Sequence, residues 1–195
     1  MEHLEGETLE TTLKARGSLP LEEAIRLLLP IADALDALGR QGFVHRDVKP
    51  ANIFIARERS GALRPVLLDL GLAFDTAPGA LRITSGGGTP GTPLYMAPEQ
   101  VGARDLDARA DQWALAVVLY ECLTGARPFE AASWGELYFK ISTAQYTLPT
   151  QLRPDLPKVV DDVVTRAFQV APHARFASAR AMIAALRPVA SPSSA

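Results

Sequence analysis

Residues 45–52 read His45-Arg46-Asp47-Val48-Lys49-Pro50-Ala51-Asn52, flanked by two short apolar runs, Phe43-Val44 and Ile53-Phe54-Ile55. A carboxylate, an ammonium and a carboxamide therefore fall within six residues, between segments that read as short strands. Seventeen residues past Asn52 a second carboxylate appears in Leu68-Asp69-Leu70-Gly71, and Ala97-Pro98-Glu99 follows it. Taken singly, an Asp or Asn in a loop is most often a turn former or a helix cap. The ordered set, with its spacing, is what carries information.

Upstream, Ile25, Leu28, Leu29, Ala32, Leu35 and Leu38 recur at three and four residues, which predicts a helix over 21–41. Pro20 suits its first turn, and Pro30 inside the pattern predicts a kink or a lost hydrogen bond. After Gly42 the period shortens: Phe43-Val44, Ile53–Ile55 and Val66–Leu68 read as short strands. Residues 75–93, rich in Gly, Pro, Ser and Thr, read as a mobile loop. Beyond it the pattern predicts helices near 111–124, 133–143, 156–170 and 177–187, and a tail or linker stub over 188–195. The expected fold is mainly α (α+β), a helical body with a small β patch carrying the 45–52 loop. No internal repeat is present.

With 195 residues and 48% hydrophobic content, the chain can bury one sizeable core. Twenty basic and 22 acidic residues are scattered to a net charge of -2, so no basic stripe nominates a nucleic acid. The lone Cys122 excludes an internal disulfide, and no His/Cys spacing suggests zinc. The acidic start lacks a signal-peptide pattern, and the apolar run from Trp113 to Tyr120 is too short to span about 30 Å of hydrocarbon. These features predict a cytoplasmic protein with no membrane segment.

The segment from His45 to Asn52, with Asp69 and the Ala97-Pro98-Glu99 triplet, resembles the signature set of serine/threonine protein kinases of the bacterial, eukaryotic-like type. The resemblance implies that Asp47 orients the substrate hydroxyl, that Lys49 faces the transferring phosphate, and that Asn52 and Asp69 hold Mg²⁺ beside ATP. Lys49, two residues after Asp47, and Thr92 in Gly91-Thr92-Pro93 point to Ser/Thr rather than Tyr acceptors. Arg46 marks kinases whose activation loop is ordered by phosphorylation, with Thr84, Ser85 and Thr89 as candidate acceptors. Gly86-Gly87-Gly88 has no preceding strand or following helix and is given no nucleotide role. The scaffold matches too: His45 belongs to the loop motif, Asp111 resembles the buried Asp that holds the catalytic-loop backbone, and Arg175 aligns with the partner of Glu99.

By the same resemblance, Met1, Glu2 and Leu4 belong to the hinge between lobes, and Phe54 to the floor of the adenine site. Residues 1–187 are thus expected to be a hinge and C-terminal lobe, without the Gly-rich loop and lysine strand of an N-terminal lobe, through a mis-assigned start, a truncated gene or a fragment. This implies self-association or an N-lobe-supplying partner, besides protein substrates. Leu70 replaces the usual Phe, and Ala116 a frequent Gly, at little consequence for the fold. The alternatives are a non-catalytic kinase-like interaction module and a small-molecule phosphotransferase.

Overall fold

The computed structural model describes residues 5–58, 60–68, 92–102 and 106–187. The chain opens with strand β1 (Gly6–Thr8) and helix α1 (Leu9–Arg16). The Thr8 hydroxyl accepts from Thr11 N at 3.2 Å and so caps the helix. Helix α2 (Leu21–Arg40) follows and buries Ala24, Ile25, Leu27, Leu28, Ile31, Ala32 and Leu35 along one stripe. It runs unbroken through Pro30, whose ring sits on the exposed side, where water can satisfy the carbonyl it leaves without a partner. Pro20 flanks the helix in an extended conformation (ψ 147°) instead of entering its first turn.

Strands β2 (Ile53–Arg57) and β3 (Leu63–Leu67) complete a three-stranded antiparallel sheet in the order β1-β2-β3. Gly6, at φ 153°, lies so close to β2 that a Cβ would stand 2.1 Å from the Ile55 carbonyl oxygen. Phe43 and Val44, expected as a strand, form none: the chain from 43 to 48 is irregular, and its amides at 45 and 46 bond a side chain rather than a neighbouring strand.

Beyond the sheet come α3 (Pro98–Val101), α4 (Arg109–Thr124), α5 (Trp134–Ser142), α6 (Pro149–Leu152), α7 (Val159–Ala167) and α8 (Ala179–Ala184). Ser133 and Ser178 cap α5 and α8 through their hydroxyls. Helix α4 is the centre of the body, with every residue from Ala110 to Tyr120 buried. It ends at Gly125 in the left-handed region (φ 73°), 3.0 Å from the Gly17 carbonyl oxygen measured from where a Cβ would sit. Helix α2 packs on both α4 and α8, and Asp36 accepts from the amides of Ala179 and Arg180 at 2.9 and 3.0 Å. Around Trp113, Phe129 and Phe168 stack or tilt at centroid distances of 5.4 and 5.0 Å. Among the described residues, no helix is long and apolar enough to cross a membrane.

Arg175 forks onto Glu99, with Nη1 and Nη2 donating to the two carboxylate oxygens at 2.7 and 2.8 Å. Both side chains are buried, and the guanidinium also donates to the carbonyls of Arg109 and Gln169 at 2.8 Å each. Removing one partner strands the other charge away from water. Glu99→Ala and Arg175→Ala are each expected to lower unfolding free energy by about 3–5 kcal/mol. Denaturant titration checks this, and a midpoint unchanged in both variants contradicts it.

Candidate active site

The 45–52 segment is hung from the first turn of α4. Asp111, 3% exposed, accepts from His45 N through Oδ2 at 2.7 Å and from Arg46 N through Oδ1 at 2.9 Å. Burial pushes the Asp111 carboxyl up from its ordinary range, and the two amide donors pull it back down. The paired bonds hold Arg46 at φ 68°, a left-handed conformation that costs a non-glycine residue free energy. Arg46 itself is exposed.

His45 is buried beneath this turn, with Nε2 3.3 Å from the Leu68 carbonyl oxygen and Nδ1 accepting from Asp47 N at 3.4 Å. The imidazole thus ties the end of β3 to the loop. A second tie is backbone: Leu68 N donates to Asn52 O at 2.8 Å.

Asp47 emerges half-buried with donors on two sides. Lys49 Nζ lies 2.7 Å from Oδ2 and 2.9 Å from Oδ1, and Asn52 Nδ2 donates to Oδ2 and to the Asp47 carbonyl, both at 2.8 Å. Asn52 closes the 3-10 turn Pro50–Asn52, whose Pro50 is buried, and Ile53 then starts β2. Phe54 lies half-buried on β2, opposite Thr8 and Val66.

The sequence-predicted residues therefore divide. His45, Arg46, Asp47, Lys49, Asn52 and Asp111 come together around one turn, while Glu99 and Arg175 form a separate buried pair. Met1, Glu2, Leu4, Asp69, Thr84, Ser85 and Thr89 lie outside the described residues, as does the side chain of Thr92, which begins the 3-10 turn Thr92–Tyr95. The fit to a divalent cation rests on Asn52: its amide nitrogen is spent on Asp47, so Oδ1, a hard oxygen, accepts no hydrogen bond among the described residues.

Sequence reasoning missed two supports. Gln112 is buried and closes a two-way bond to the Phe176 backbone, Nε2 donating to its carbonyl at 3.1 Å and Oε1 accepting from its amide at 3.2 Å. The available signal was its polarity beside Asp111 in an otherwise apolar helix. Tyr95 donates to Glu121 Oε2 at 2.6 Å. Burial raises both the Tyr95 hydroxyl and the Glu121 carboxyl above their usual ranges.

The protein kinase domain model matches residues 1–185. The chain belongs to the protein kinase family. Within it, this chain is similar to bacterial serine/threonine kinases. The kinase PknH of Mycobacterium tuberculosis is 41% identical over 179 residues, covering 92% of this chain and 28% of that protein. PknL of the same species is 37% identical, covering 97% of this chain and 46% of its own length. A crystal structure of the M. tuberculosis PknI kinase domain superposes with a TM-score of 0.74 at 28% identity, over 98% of this chain and 65% of that one. The chain thus spans less than half of these two curated relatives, and its fold is kinase-like.

If Asp111 holds the loop, Asp111→Asn turns one acceptor oxygen into a donor facing an N–H. Hydrogen exchange at His45 and Arg46 is expected to accelerate roughly tenfold or more, with overall helicity retained. Unchanged exchange at both amides would sink the anchoring role.

Proposed function

We propose that the protein transfers the γ-phosphate of ATP to Ser/Thr hydroxyls of protein substrates, with residues 1–187 acting as hinge and C-lobe and 188–195 as a linker. The observation that carries this reading is the Asp47, Lys49 and Asn52 cluster, bonded within itself and suspended from Asp111. Phosphoryl transfer asks a protein mainly for positioning and for neutralisation of phosphate charge.

Asp47 has the right freedom for the first task. Lys49 and Asn52 fix the carboxylate, and the group remains 29% exposed, open to a substrate hydroxyl that donates to it. The Lys49 ammonium, 24% exposed, sets a positive charge beside the same point, where the phosphoryl group would pass. Asn52 Oδ1 and the Asp69 carboxylate are the proposed holders of Mg²⁺, which would supply positive charge against the phosphate. Met1, Glu2, Leu4 and Phe54 are assigned to the adenine side, and Arg46 to a phosphate on Thr84, Ser85 or Thr89. Association with itself or with a partner that contributes N-lobe contacts belongs to the same reading.

The test joins this chain to the N-terminal lobe of a relative such as PknH and follows labelled phosphate from Mg²⁺-ATP onto a Ser/Thr-bearing protein. Asp47→Asn is expected to lower transfer by on the order of 10²–10⁴-fold. Transfer that is insensitive to Asp47 rejects the role assignment. In the same assay Asn52→Ala is expected to raise the Mg²⁺ concentration needed for half-maximal rate, because one metal oxygen and one Asp47 donor are lost together. An unaltered Mg²⁺ dependence argues against Asn52 as a ligand.

A further inference from the structure

Strand register places Glu7 opposite Ile55, and Leu63 opposite Arg57, so these four residues share one face of the sheet. That face turns toward α1 and α2, and between them lies a cleft of 440 Å³, within the size range of small-molecule sites. None of residues 45–52 lines it.

The floor is apolar, formed by Leu27 and Ile55, both buried, and Leu63, 38% exposed. One wall is closed electrostatically: Arg16 forks onto Glu23 with both bonds at 2.7 Å, so these charges cancel locally. The other two charges do not cancel. Glu7 and Arg57 are diagonal neighbours on the sheet, a separation of roughly 8 Å between Cα atoms, and no ion pair joins them. Glu7 Oε1 accepts from the buried Thr12 hydroxyl at 2.9 Å, which orients the carboxylate, and Oε2 takes no hydrogen bond among the described residues. The Arg57 guanidinium likewise has no partner among them.

An anion and a cation with no ion-pair partner among the described residues, set apart over an apolar floor, match one ligand chemistry. We propose that this cleft behind β1 binds a zwitterion with an apolar body, of the α-amino-acid or short-peptide class. Its ammonium meets Glu7, its carboxylate meets Arg57 and its side chain covers Leu27, Ile55 and Leu63. A simple anion would face the Glu7 carboxylate, and a simple cation the Arg57 guanidinium, so each alone is disfavoured. The site is independent of the phosphotransfer reading. It shares β1 and α1 with the packing around the turn that ends in Asn52, so a bound ligand braces that turn.

Calorimetric titration of the purified protein with L-phenylalanine tests this, beside 3-phenylpropionate, which lacks the ammonium, and 2-phenylethylamine, which lacks the carboxylate. Saturable binding with a Kd at or below about 1 mM is expected for the amino acid. Arg57→Gln and Glu7→Gln, both at exposed positions, should each weaken it roughly tenfold or more, and the two truncated probes should bind at least as weakly. Absence of saturation by about 10 mM, an affinity unchanged in either variant, or equal binding of either truncated probe overturns the assignment.

Discussion

The two bonds from Asp111 to the amides of His45 and Arg46 are the constraint on which the rest of the site depends. A carboxylate buried in the first turn of a core helix is costly unless donors meet it, and here both oxygens are met by backbone N–H groups. The cost of burying the charge and the cost of the left-handed Arg46 are thus settled together: the loop supplies what the carboxylate needs, and the carboxylate holds the loop in a conformation it would otherwise leave. Everything that Asp47 does follows from this, because its own backbone begins one residue beyond the second bond. Lys49 and Asn52 then fix its side chain from the downstream end.

A second buried charge, the Glu99–Arg175 pair, follows a different rule. Five guanidinium hydrogen bonds are shared between a carboxylate and three backbone carbonyls, those of Arg109, Gln169 and Val170, so little of its donor capacity is wasted. The Trp113 ring lies 5.0 Å beneath the guanidinium carbon, adding a cation–π contact that an apolar replacement would forfeit. The Trp113 Nε1 group is buried without a partner among the described residues, the one such side-chain atom there, and its cost is borne by aromatic packing on Phe129 and Phe168. The pair connects the segment after residue 92 to the α7–α8 region, so it fixes the position of one part of the body relative to another more than it adds stability.

Helix α2 was legible in sequence because its burial follows the helical period, and α4 because its apolar run is continuous. Helix α2 has an uninterrupted stripe from Ala24 to Leu35, and its proline falls on the side that faces water. Helix α1 escaped notice because only Leu9, Thr12 and Leu13 are buried, too few positions to mark a period, and its existence rests on the Thr8 cap and tertiary packing. Phe43 and Val44 misled for the opposite reason: they have strand-forming side chains, but the next amides are claimed by a carboxylate 65 and 66 residues away in sequence, which no local pattern announces. Of the residues singled out by motif spacing, His45, Arg46, Asp47, Lys49, Asn52 and Asp111 come together around one turn. Their geometry, above all the convergence of Lys49 and Asn52 on one carboxylate oxygen, was not readable before the turn at Pro50–Asn52 was seen.

Helix α4 carries this arrangement to the other side of the molecule. Its first turn holds the catalytic-type loop through Asp111 and the Phe176 backbone through Gln112, and its last turns hold Tyr95 through Glu121. Between these ends every side chain from Ala110 to Tyr120 is buried, so the helix cannot shift at one end without disturbing close-packed contacts along its length. The Tyr95 bond therefore ties the turn at 92–95 to the same rigid rod that suspends Asp47. One buried helix thus holds the 45–52 loop and the 92–95 turn in fixed register from within a single hydrophobic core.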